Sequence, residues 1–70
     1  MKPAEIRALS TEEVVSRLED ARENFQKLRF QAAVGQLTDL SQLRTARREI
    51  ARLATVLRER ESAALEGSQA

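Results

Sequence analysis

Leu43-Arg44-Thr45-Ala46-Arg47-Arg48-Glu49-Ile50-Ala51-Arg52-Leu53-Ala54-Thr55-Val56-Leu57 decides the fold, because it makes two different demands on one helix. At about 100° per residue, Leu43, Ala46, Ile50, Leu53, Ala54 and Leu57 fall on one side and form the apolar stripe of an amphipathic helix. That side has to be buried against a partner. Arg44, Arg47, Arg48, Arg52 and Arg58 spread over another face, with Glu59 near its edge and the small residues Ala51 and Thr55 among them. Guanidiniums crowded on one face repel one another in water, and a polyanion that offers phosphates along a line is their natural complement. The ordinary alternative is a solvated face whose arginines pair with glutamates one turn away, each pair worth tenths of a kcal/mol. Glu49 and Glu59 are too few to neutralise these arginines, and Glu49 points to a different flank.

The partner for the apolar stripe lies upstream. Ser10 with Glu13 three residues later has the form of a capping box, and Leu9 and Val14 stand at the two positions of a hydrophobic staple, so a helix begins there. Val14, Leu18, Ala21, Phe25, Leu28 and Ala32 then alternate steps of four and three, the seam of a coiled coil. The run stops at Gly35, the residue type that takes the left-handed conformation at a helix end without steric cost. Residues 35–39 read as a turn, with Asp39 or Thr38 as the next N-cap and Gln42 at the capping-box position behind Asp39. A connection this short makes the two helices antiparallel. The expected fold is therefore all-α: a long antiparallel two-helix hairpin, coiled-coil-like, over residues 1–63. It comprises a short N-terminal helical turn at 3–8 opened by Pro3, helix one at about 11–34, the loop, helix two at about 40–63, and a frayed tail at 64–70.

Length and charge narrow the functions open to such a hairpin. Seventy residues bury only a modest fraction of their surface, and there is no cysteine or histidine for a disulfide or a metal staple, so extra burial has to come from a partner. No apolar run approaches the ~20 residues needed to cross a bilayer, and the N-terminus lacks a signal-peptide pattern, which makes the cytoplasm the default address and a membrane an unexpected partner. The formal net charge is only +1, but residues 1–24 and 61–70 each carry −2 while residues 25–60 carry +5. A basic middle inside a nearly neutral chain is the footprint of a nucleic-acid-binding region.

Among single residues, Phe25 belongs to the seam, whereas Phe30 lies about half a turn from it, beside Gln26, Ala33 and Arg29. Phe30 is either covered by the N-terminal turn through Ile6 and Leu9, left exposed, or in contact with RNA or a protein neighbour. With no further aromatic available, recognition of RNA should rest on backbone shape rather than serial base stacking. Gly35 is explained by the turn, and Gln36 at the hairpin tip could add hydrogen bonds. Catalysis finds no support. A nucleophile with its base cannot be assembled without histidine or cysteine, and a small helical mutase working through arginine, lysine and glutamine needs a third helix to close its pocket. No cofactor, metal or small-molecule substrate is expected. The alternative to RNA binding is a homodimer in which two hairpins pair into a four-helix bundle, acting as an adaptor or regulator.

The blocks Leu28-Arg29-Phe30-Gln31-Ala32-Ala33-Val34-Gly35-Gln36-Leu37 and Leu43 to Arg60, with the opening Met1-Lys2-Pro3-Ala4-Glu5-Ile6-Arg7-Ala8-Leu9-Ser10, closely resemble the bacterial large-subunit ribosomal protein twenty-nine family. The likeness runs to about Glu61. It implies a helical hairpin on the large ribosomal subunit near the mouth of the peptide exit tunnel, bound to large-subunit rRNA. Its implied neighbours are ribosomal protein twenty-three and, at the exit site, trigger factor and signal recognition particle. Carried onto this chain, the resemblance implies rRNA contacts at Arg29, Phe30, Gln31, Gln36, Arg44, Arg47, Arg48, Arg52, Thr55 and Arg58. The turn departs from the family pattern: many relatives have asparagine followed by proline or a polar residue where this chain has Thr38-Asp39-Leu40.

Overall fold

A computed structural model describes residues 2–69, with side-chain surroundings given for residues 2–64. Three helices follow one another: α1 at Pro3–Arg7, α2 at Thr11–Ala33 and α3 at Ser41–Gln69. The two long helices pack against each other as an antiparallel hairpin, α1 folds back onto α3, and the whole measures 53 × 19 × 16 Å.

Each boundary has a local cause. Pro3 opens α1 with its φ already set for a helix, and the Lys2 backbone N–H donates to Glu5 Oε2 at 3.2 Å. Ser10 is the N-cap of α2, its Oγ accepting the Glu13 N–H at 3.2 Å, and Leu9 packs against the core that holds buried Val14, completing the staple. At the far end of α2 the Gln36 N–H donates to the Gln31 carbonyl at 2.8 Å and the Gly35 N–H to the Ala32 carbonyl at 3.2 Å. This is the pair of bonds that defines a Schellman motif, and it requires the left-handed Gly35, whose φ is 74°.

The start of α3 follows the sequence reading to within a residue, with Asp39 as the capping side chain. Helix two begins at Ser41, and Asp39 acts through an Asx-type turn, its Oδ1 accepting the Ser41 N–H at 3.0 Å and the Ser41 hydroxyl at 2.5 Å. The two donated bonds, that of the Ser41 hydroxyl first, hold the Asp39 carboxyl below its usual pKa. The other end differs: α3 continues through residues 64–69, where fraying was expected after residue 63. Ala63, Ala64, Leu65 and Glu66 are all strong helix formers, so the backbone ladder runs on where the apolar period has already stopped.

The core lies toward the open end of the hairpin. Ile6, Val14, Leu18, Leu53 and Val56 form one buried cluster, with Leu9, Ala21, Ile50, Ala54 and Leu57 partly buried around it. Ile6 and Val14 are 0% exposed because three elements meet there, and burying a side chain of this size fully is worth about 1.5–3 kcal/mol. Toward the tip only two helices face each other. There the seam residues Phe25, Leu28, Ala32 and Leu43 are half-buried, and Phe30, Val34 and Leu40 are 67, 50 and 65% exposed. Two helices cannot enclose a seam on their own, so burial falls away once α1 is left behind.

Candidate nucleic-acid interface

The flank of α3 turned away from Glu49 carries Arg44, Arg47 and Arg58, with Arg48 and Arg52 at its edge. Arg44, Arg47, Arg48, Arg52 and Arg58 are all exposed, as the apolar stripe demands of the opposite flank of α3. Arg44, Arg47, Arg48 and Arg58 make no ion pair among the described residues, so their charge is not cancelled within the fold. Glu49 instead faces the other side of the hairpin, where it lines a polar concavity with Arg17, Asp20 and Asn24.

Near the tip, the arginine face becomes a groove. Phe25, Leu40 and Leu43 form its apolar floor, Arg29 from α2 and Arg44, Arg47 and Arg48 from α3 form its rim, and its volume is about 510 Å³. The Arg29 guanidinium lies over the Phe25 ring, 5.8 Å from the centroid, a cation–π contact that keeps the charge at the mouth of the groove. Four guanidiniums around one depression make a strong local positive potential, and each offers a planar fork of donors suited to phosphate oxygens.

Farther along α3, Arg52 and Thr55 border a smaller concavity with Pro3 and Arg7 of α1, floored by Ala51 and Val56. The Thr55 hydroxyl donates to the Ala51 carbonyl at 2.7 Å, which leaves it as an acceptor rather than a donor toward a ligand.

The ten residues implied by resemblance thus divide. Arg29, Arg44, Arg47 and Arg48 meet at one groove, and Arg52, Thr55 and Arg58 extend the same face along α3. Phe30, Gln31 and Gln36 lie apart. At 100° per residue, Phe30 points about 160° away from the α2 seam and Gln31 sits about 160° around the helix from Arg29. Gln36 is exposed in the turn, its backbone N–H spent on the Schellman bond. Neither Ile6 nor Leu9 covers Phe30, because α1 docks at the opposite end of the hairpin.

Two residues that hold the site in shape escaped the sequence reading. Val56 lies off the apolar stripe yet is buried, since α1 gives that flank of α3 a second partner. Arg60, one turn on, donates from Nη2 to the carbonyl oxygens of Arg7 at 3.0 Å and Leu9 at 2.6 Å, and from Nη1 to Thr11 Oγ1 at 3.3 Å. It is a clamp on the α1–α2 junction rather than a ligand-binding arginine. The exposed pair Arg7 to Glu59, at 3.5 Å, lies beside it and adds little in water. The available signal was Ile6 itself: an apolar residue ahead of the helix-one cap needs somewhere to dock.

Among the described residues no cluster of three or more acidic side chains could hold a metal, and no helix is long and apolar enough to cross a membrane. Residues 4–60 match the family model described as Ribosomal L29 protein. The chain is 51% identical over 61 residues to the large ribosomal subunit protein uL29 of Thermosipho africanus, covering 87% of this chain and 92% of that one. It is 52% identical over 61 residues to the protein of the same name from Mycobacterium avium, covering 87% of this chain and 79% of that one. To the one from Corynebacterium diphtheriae it is 56% identical over 57 residues, covering 81% and 75%. With matches of this extent on an α-helical hairpin, the chain belongs to the ribosomal L29 protein family.

Proposed function

We propose that this protein is a structural constituent of the large ribosomal subunit that binds large-subunit rRNA through the arginine face of α3 and performs no chemistry. The observation that carries the reading is the lack of any carboxylate partner for Arg44, Arg47, Arg48 and Arg58 among the described residues, with Arg29 of α2 added to the same side. A fold that keeps these charges together and exposed needs an external polyanion, and the relatives are named as proteins of the large ribosomal subunit. The binding is electrostatic and shape-driven, with helix faces tracking phosphates.

The family resemblance supports a location at the mouth of the peptide exit tunnel, beside ribosomal protein twenty-three and within reach of trigger factor and signal recognition particle. The half-open tip supports a protein neighbour as well as RNA: Phe30 and Val34 offer apolar surface on the side of α2 away from α3. Co-sedimentation tests the proposal. The protein should pellet with large ribosomal subunits through a washing step at moderate salt, and Arg47→Glu with Arg48→Glu should leave it in the supernatant with helicity by circular dichroism unchanged. A stable, salt-indifferent homodimer with no affinity for RNA would contradict the proposal.

A further inference from the structure

We propose that the groove between the helices near the tip takes one unstacked RNA nucleotide, its base lying on the apolar floor and its flanking phosphates held by the arginine rim. This inference rests on the rRNA-binding reading above and adds a base-sized recognition element to a surface otherwise read as contacting backbone.

Three observations converge on it. The floor of Phe25, Leu40 and Leu43 is apolar and partly open to water, with Leu40 65% exposed, so the fold leaves unfilled a surface that a flat aromatic ligand would cover. The groove's volume, about 510 Å³, lies within the range of sites that bury small organic ligands, and a single nucleobase fits with space to spare. Its rim carries Arg29, Arg44, Arg47 and Arg48 with no carboxylate lining it, the opposite of the mixed concavity around Glu49.

A phosphate alone would use the rim and leave the floor wet. An apolar peptide segment would use the floor and leave four guanidiniums unmatched. A nucleotide satisfies both, with a π-face for the floor and anionic oxygens on either side. The Arg29 guanidinium, already lying over the Phe25 ring, presents a planar cation on which a base can also stack. A base inside a regular A-form stem is not available for this, because its faces are stacked. The occupant is therefore a bulged or looped nucleotide.

Binding of the full-length protein to three RNA hairpins tests the inference: one with a perfect stem, one with a single bulged 2-aminopurine, and one with an abasic bulge at the same position. The bulged base should raise affinity about tenfold over both other hairpins, in keeping with base stacking on a protein surface. Its fluorescence should change on binding. Leu40→Ala removes floor from an exposed position ahead of α3, and should erase most of that preference, bringing the affinity for the bulged hairpin down to that for the abasic one. Arg44→Gln should weaken all three alike. Equal affinity for the three hairpins, or equal preference for the bulged and abasic ones, would overturn the nucleotide site while leaving the arginine face as an RNA-binding surface. Failure to bind any of the three would overturn that functional reading itself.

Discussion

The Arg60 guanidinium reaches 51 residues back along the chain to hold the Leu9 carbonyl oxygen at 2.6 Å, just before the cap of α2. This contact, shared with the Arg7 carbonyl and the Thr11 hydroxyl, ties the three helices together at the one place where the core is fully closed. Arg60→Ala should lower stability in urea by about 1–2 kcal/mol, the range for hydrogen bonds made by a charged donor that is partly solvated. Arg60→Lys should recover only part of the loss, since an ammonium cannot reproduce the fork. RNA affinity of the folded fraction should not change, which separates Arg60 from its neighbours Arg52 and Arg58.

Core and tip should respond very differently to truncation. Leu53→Ala removes a side chain only 1% exposed and should cost about 3 kcal/mol, enough to unfold much of a domain this small at room temperature. Phe30→Ala removes a larger side chain that is 67% exposed and should move the denaturation midpoint by less than about 0.5 kcal/mol equivalent. A large loss at Phe30 would show that α1, or another part of the chain, covers it after all.

The turn gives a cleaner test of backbone conformation. A Cβ at Gly35 would meet nothing within 4 Å, so Gly35→Ala isolates the cost of holding a non-glycine residue at φ 74°. Thermal denaturation should show a loss of about 1 kcal/mol, carried by the left-handed conformation alone.

Acid should act at the start of α3. The Asp39 carboxyl, stabilised as an anion by the Ser41 hydroxyl and N–H, is held below its usual value of 3.8. A depressed folded-state pKa means that its contribution is complete above the unfolded value and disappears as pH falls through the lower, folded one. The Ser41 amide resonance should therefore titrate with a midpoint below 3.8, and Asp39→Ala should abolish that titration. A midpoint at or above 3.8 would mean the Asx turn is not formed in solution.

The hairpin was legible because its signals are local and agree with one another: a cap at Ser10, a seam from Val14 to Ala32, a stop at Gly35 and an amphipathic return helix. The arginine face was legible for the same reason, since five residues of one helix fix their own spacing. What escaped depends on where α1 lands. Val56 is buried and Arg60 is a clamp only because Ile6 docks beside them, and periodicity within α3 carries no trace of that third partner. The same docking explains why Phe30 stays exposed, as it stands about 28 Å along α2 from Thr11, at the end that α1 does not reach. The groove also lies beyond single-helix reasoning, because Phe25 and Arg29 come from one helix and the remaining rim and floor from the turn and the other helix.

The salt dependence of RNA binding tests the arginine face most directly. With three or four phosphates neutralised, the logarithm of the association constant for an rRNA fragment should fall against the logarithm of salt concentration with a slope of about −3, and Arg47→Glu with Arg48→Glu should reduce the magnitude of that slope by about 2 while the helices remain intact. A slope near zero for the unaltered protein, or one that the double substitution leaves unchanged, would contradict the account.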